Sequence, residues 1–445
     1  MSSGLILGGG VTGLAAGMAS GFPVYEARES PGGICSSYYV RPGENSRLHA
    51  PPSDGDAYRF EIGGGHWIFG GDPVVLREIE RLSPTRRYTR DSAVYFRNQD
   101  RYVDYPIQNN LRQLPPEFAH RAIEEMSNPS GSARTLKEWL LRNFGPQLCE
   151  AFFFPFHERY TAGLYDSVSP QDEYKSPVNL AHAIRGATGP ITGVGYNTTF
   201  AYPVGGLDKF ARAMAHDCDL RRGARALKID PQLKSVEFAD GSVAQYDTLI
   251  STLPLNKTLE MAGLRVDAPA DPYTSVLVLN LGAVKGPRCP SKHWLYIPES
   301  TSGFHRVGFY SHIDPSFLPR SGREKDDLVA IYVERTYPGG QRPSDTEVNH
   351  YAKSVVAELT AWGYIDQADV IDPTWIDVAY TWERPKSTWK AEALSKLEEK
   401  NIIMVGRYAR WIFQGIADSL KDGASVGAKF RGAWPPYSST EIRSG

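Results

Sequence analysis

The chain has 445 residues, 41% hydrophobic and 22% charged, an ordinary globular composition whose length suits two or three structural units rather than one small core. Its 49 basic and 51 acidic residues leave a formal net charge of −2, so no broad field draws nucleic acid or an anionic bilayer and any anion site has to be local. Cys35, Cys149, Cys218 and Cys289 form no C-x-x-C pair, and no apolar run approaches the ~20 residues of a bilayer span, which argues against structural zinc, a disulfide framework and a membrane anchor. Met1-Ser2-Ser3 lacks the basic region of a signal peptide, and the expectation is a cytoplasmic protein that binds neither metal nor nucleic acid.

The first element, Leu5-Ile6-Leu7, reads as a buried strand, and Gly8-Gly9-Gly10-Val11-Thr12-Gly13 as the turn after it. Residues 14–19 read as a helix of small side chains, and Phe22-Pro23-Val24-Tyr25 as a second strand ending at Glu26. Gly8 suits the tight turn, Gly10 lets backbone approach a pyrophosphate, and Gly13 lets helix pack closely on strand. Val11 and Thr12 in the turn are expected at the cofactor, the free amides of the helix that follows face the phosphates, and Glu26 stands where an acid accepts a ribose diol. The following Glu26-Ala27-Arg28-Glu29-Ser30-Pro31-Gly32-Gly33 resembles the flavoprotein pattern, in which a diglycine with a nearby basic residue comes close to the FAD pyrophosphate. NAD dehydrogenases do not usually carry that extension. The cofactor expected is FAD, held non-covalently.

Further along, 41–58 reads as a surface loop and Arg59-Phe60-Glu61-Ile62 as a strand leading to Gly63-Gly64-Gly65-His66. Residues 115–187 look mainly helical, with a capping-box start at Thr135 and Glu138, and Phe152-Phe153-Phe154 read as core before a stop at Pro155. From Ala226 a β-meander with a tight Asp240-Gly241 hairpin returns to a buried strand at 246–250, read as a second cofactor-contacting segment. Alternating strands follow between 273 and 337. Ile402-Ile403-Met404-Val405 reads as a buried strand ending at Gly406-Arg407, and Lys421-Asp422-Gly423-Ala424-Ser425-Val426-Gly427 as the opening of a helix whose amides face the flavin, with Gly423, Ala424 and Ser425 at the cofactor. The fold class expected is α/β: a Rossmann-like FAD-binding domain built from both chain ends, with inserted helical and mixed β-sheet substrate regions. The segments are 1–100, 196–260 and 391–445 for FAD, 101–195 for a helical insertion, and 261–390 for a mixed sheet.

Over most of its length the chain resembles the UDP-galactopyranose mutase family, especially its longer eukaryotic type. The residues that carry this are Gly64-Gly65-His66-Trp67-Ile68-Phe69, Val103-Asp104-Tyr105-Pro106-Ile107-Gln108-Asn109-Asn110, Asn197-Thr198-Thr199-Phe200-Ala201-Tyr202-Pro203, Trp294-Leu295-Tyr296-Ile297-Pro298, Phe304-His305-Arg306 and Gly406-Arg407, in the family's order. The resemblance implies that reduced flavin acts as a covalent nucleophile on a nucleotide-linked sugar, with no net change in electron count. It implies that Gly65 and His66 lie against the flavin, that Tyr296 and Arg306 hold a diphosphate, and that Tyr105 and Gln108 approach the nucleoside. NAD(P)H is the candidate external reductant.

Departures cluster at the substrate. The family's base-contacting Asn and Trp correspond to His157 and Thr161, beside Phe156. Lys175 is the nearest cation to a missing diphosphate arginine, and Phe413 and Ile416 replace a tyrosine and a residue near the following asparagine. A site that has lost several polar contacts together loses affinity steeply for its old ligand. Two readings stay open: a mutase-like enzyme on a nucleotide sugar other than UDP-galactose, and an FAD oxidoreductase (oxidase or desaturase) on the related amine-oxidase scaffold. In both, the partner is a small molecule.

Overall fold

The computed structural model describes residues 3–171, 176–191, 193 and 198–431. A five-stranded, all-parallel sheet runs in the order Leu220–Arg221, Val24–Tyr25, Gly4–Leu7, Thr248–Ser251, Ile402–Met404, so strands from both chain ends share one sheet, joined through Thr248–Ser251. Its central strand is a short apolar run with Leu5, Ile6 and Leu7 buried, as a parallel strand covered on both faces requires.

The helix Val11–Ser20 packs lengthwise on the last helix, Ile416–Arg431, through small residues. A Cβ on Gly423 would stand 2.1 Å from the Thr12 carbonyl oxygen, and one on Gly427 2.5 Å from that of Ala16. This corrects the expectation for Gly423-Ala424-Ser425. The helix opens five residues before Lys421, at Ile416, and these three form its interior, with Gly423 and Ala424 turned to the first helix and Ser425 exposed. The glycine serves close helix packing rather than a helix start.

A second, seven-stranded sheet runs in the order Ile365–Thr381, Tyr273–Lys285, Leu328–Pro338, Arg306–Phe309, Trp294–Tyr296, Ser92–Phe96, Arg101–Asp104. It is antiparallel except where Trp294–Tyr296 pairs with Ser92–Phe96. The hairpin Ser92–Phe96/Arg101–Asp104 spans the 100/101 boundary drawn from sequence and belongs wholly to this sheet.

The helical region comprises Pro116–Ser127, Leu136–Leu148, Phe154–Tyr160 and Leu180–Thr188. Thr135 Oγ1 accepts from the Glu138 amide and the Glu138 carboxylate accepts from the Thr135 amide, both at 3.2 Å, closing the capping box. Pro155 does not stop the chain. A π-helical turn, Cys149–Phe153, precedes it and the proline sits in the first turn of the next helix, where its missing N–H leaves no bond unmade. Among the described residues no helix is long and apolar enough to cross a membrane, and no group of three or more His, Cys, Asp or Glu is placed to hold a metal.

Candidate active site

Where the two sheets and the helical region meet lies a cavity of about 790 Å³. One end is the glycine-rich turn. Gly8 has φ +98°, and a Cβ on Gly13 would stand 1.9 Å from the Gly8 carbonyl oxygen, so helix and turn touch at backbone distance. A Cβ on Gly10 would meet nothing within 4 Å, because that face opens into the cavity beside Val11 and Thr12. Gly10 caps the first helix without a side-chain hydrogen bond, which leaves the first-turn amides free for an anion.

The diglycine is tied to this turn, since the Gly32 amide donates to the Gly9 carbonyl at 2.8 Å. Glu26 accepts from the amides of Gly9 (2.7 Å) and Arg28 (2.9 Å) and still lines the cavity with acceptor capacity to spare. Thr252, Leu253 and Pro254 complete this end. A backbone-lined cradle with uncapped helix amides and an acid one strand away fits the diphosphate and ribose of FAD.

Of the residues expected at the cofactor, Gly8, Gly10, Val11, Thr12, Glu26, Arg28, Gly32, Gly33, Gly65, His66, Gly406 and Arg407 line the cavity. Gly13 supports it from behind. Ala27, Gly64, Ala226 and the Gly423-Ala424-Ser425 stretch do not line it; Ala226 pairs with Phe238 in a separate three-stranded sheet. In place of that stretch the last helix presents Ile416, Asp418 and Ser419, with Gly415 just before it.

The opposite wall holds the charges. Arg306 Nε donates to the Glu334 carboxylate at 3.0 Å, a second Arg306 nitrogen donates to the same oxygen, and His305 Nε2 stands 3.6 Å from it. Burial pushes the Glu334 carboxyl up, but Arg306 and His305 outweigh it and hold it at about 2. Burial likewise works against the Arg306 charge, and Glu334 more than restores it. His66 is driven to about 4 by burial first and by Arg407 second, so its ring is neutral at pH 7. Arg407 donates to the carbonyls of Gln414 and Ala379, both at 3.2 Å, and lies over Phe413 at 4.5 Å.

Aromatic side chains form most of the remaining surface. Tyr105 and Tyr296 rings stand 4.4 Å apart, Phe156 meets Tyr296 edge-on at 5.5 Å, and Tyr160 meets Tyr380 at 4.9 Å. Phe152 and Phe153, read as core, are each 1% exposed yet supply part of this wall. His157 lines it and bonds through Nδ1 to the Phe153 carbonyl at 2.7 Å.

Gln108, expected at the nucleoside, does not line the cavity: it is 1% exposed, with its amide donating to the Pro177 carbonyl. Thr161, read as a departure from the family's base contact, is fully buried, and its hydroxyl donates to the His157 carbonyl at 2.7 Å. Lys175 and Asn197 lie outside the described residues. Sequence reasoning passed over Tyr332 and Tyr380, which line the cavity, and Glu334, which holds Arg306. A lone acid in the apolar strand Leu328–Pro338 was a visible signal for Glu334, but its partner is 28 residues away.

The model of the flavin-containing amine oxidoreductase family matches residues 16–282. The chain belongs to that family. It is an FAD-dependent enzyme, and its fold is an amine-oxidase-type flavoprotein fold similar to that of UDP-galactopyranose mutase. A crystal structure of reduced UDP-galactopyranose mutase superposes with TM-score 0.80 and 23% identity, over 96% of this chain and 95% of that one. A fatty acid isomerase of P. acnes that produces CLA gives 0.58 at 15% identity, over 97% and 99%. Putrescine oxidase bound to putrescine gives 0.55 at 15%, over 96% and 98%. At these identities the likenesses establish the fold, and this member's chemistry has to come from its own cavity.

Proposed function

We propose that this member of the family acts on a nucleotide-linked sugar other than UDP-galactose, with FAD held non-covalently and NAD(P)H as the external reductant. The observation that carries the reading is Arg306 at the cavity wall, held by the buried Glu334 and flanked by the phenols of Tyr296 and Tyr380. Bound flavin in its reduced state supplies a nucleophilic nitrogen. The chain's residues have to bind, orient and keep out water. Arg306, fixed by Glu334, presents donors to an anionic leaving group, and the Tyr296 and Tyr105 rings supply stacking surface and hydroxyls beside it. His66, neutral at pH 7, adds no positive charge beside the flavin-facing loop. The aromatic rings of Phe152, Phe153, Phe156 and Tyr160 give this side of the cavity an apolar lining, which strengthens these contacts.

That the substrate is not UDP-galactose is supported by Thr161 and Gln108, which turn away from the cavity, and by Phe413, which offers a ring and no hydroxyl. The same apolar surface also favours a second reading, oxidation of a small molecule on the amine-oxidase scaffold. Anaerobic reduction of the holoenzyme, incubation with a panel of nucleotide sugars, and borohydride trapping of flavin–sugar adducts separates the two. An adduct supports the first reading. Its absence, together with oxygen-dependent turnover of another substrate, overturns it.

A further inference from the structure

The strands Leu328–Pro338 and Arg306–Phe309 set two pairs of residues opposite each other, Glu334 with Arg306 and Tyr332 with Gly308. The first pair is joined by ionic bonds. Tyr332 instead occupies a slot that two glycines leave open. A Cβ on Gly308 would stand 2.0 Å from Cζ of Tyr332, and one on Gly65 would stand 2.2 Å from its hydroxyl oxygen.

The phenol thus passes between the sheet and the Gly65-His66 loop to the cavity wall, where 1% of the residue is exposed. The Trp67 indole N–H faces the phenol oxygen and is itself left unpaired at hydrogen-bonding geometry. An indole N–H can only donate, so this contact leaves the phenol's own O–H unspent. Burial pushes its ionisation well up and Arg306 only partly opposes this, so the group keeps its proton. A buried hydroxyl with an unused donor is costly unless a ligand completes it.

We propose that Tyr332 is a further site residue, whose phenol donates a hydrogen bond to the flavin ring lying against the Gly65-His66 loop. The inference rests on the reading that the flavin lies there. A donor at the ring stabilises the electron-rich reduced form more than the oxidised form and so raises the reduction potential.

The test uses purified holoenzyme, with FAD content measured after acid release and the midpoint potential by dye equilibration. Tyr332→Phe keeps the ring in its slot. Its FAD content is expected to match wild type while the two-electron reduction equilibrium shifts roughly tenfold toward the oxidised form, about 30 mV. Gly308→Ala pushes the phenol out of the slot, and the expected result is the same shift, with no further shift when it is combined with Tyr332→Phe. An unchanged potential in Tyr332→Phe at full FAD content overturns the proposal and leaves the flavin's placement standing. Wild-type protein that holds no FAD overturns that placement and the proposal with it.

Discussion

Replacing Glu334 by glutamine removes the buried carboxylate that Arg306 and His305 share. A carboxyl held at about 2 instead of the ordinary 4.5 corresponds to on the order of 3 kcal/mol of interaction at neutral pH. That is close to the roughly 3–5 kcal/mol lost when one partner of a buried pair is removed. Unfolding entropy of about 2.1 cal/mol/K per residue gives a chain of this length roughly 0.9 kcal/mol/K, so Glu334→Gln is expected to lower Tm by about 3 °C.

The pH dependence carries the sign. The folded carboxyl lies below its unfolded value, so the stabilisation is complete above about pH 5.5 and fades as pH falls through 4.5 toward 2. Urea unfolding of wild type and variant from pH 7 to pH 3 checks this. The gap between the two is expected to hold from pH 7 to pH 5.5 and to shrink by more than half near pH 3. Equal stability at pH 7 would show that the pair contributes nothing. A gap that persists unchanged to pH 3 would show that the loss is one of shape and not of charge.

Arg306→Ala is expected to keep its FAD and lose roughly ten- to hundred-fold in turnover, the worth of a charge-assisted hydrogen bond to a leaving group, checked by steady-state rates on the substrate that forms an adduct. Burial, only partly opposed by Arg59 and Tyr202, raises the Glu61 carboxyl to about 7, so its contribution is full below pH 4.5 and is lost as pH rises through 7. Glu61→Gln should therefore gain on the order of 2 kcal/mol relative to wild type between pH 5 and pH 8 in urea unfolding, and a constant difference would refute the assignment. Gly423→Ala puts a methyl 2.1 Å from the Thr12 carbonyl oxygen and is expected to cost about 1–3 kcal/mol and to lower FAD content, because Thr12 lines the cradle; normal FAD retention would argue that the helix contact can yield.

What the sequence made legible was local. The unit from Gly4 to Glu26 follows from an apolar run, a glycine turn and an acid at fixed spacing, and the Thr135 capping box and the Asp240-Gly241 turn are also short-range patterns. The elements that miscarried depend on distant partners. Gly423 reads as a helix opening until the first helix is seen lying 2.1 Å from where its Cβ would be. Gln108 carries an amide that sequence cannot aim, and it donates to the Pro177 carbonyl rather than toward the cavity. Tyr332 is one aromatic among several in its strand until the strand opposite it supplies Gly308.

The central claim is that the flavin is used without net electron transfer. The direct measurement is stoichiometry: reduce the holoenzyme once, anaerobically, with one equivalent of dithionite, then count product per flavin by chromatography with the nucleotide sugar that traps as an adduct. Many turnovers from a single reduction are expected, with the flavin still reduced at the end. One product per flavin, with the flavin returned to its oxidised spectrum, would contradict it and place this enzyme with the oxidoreductases of its family.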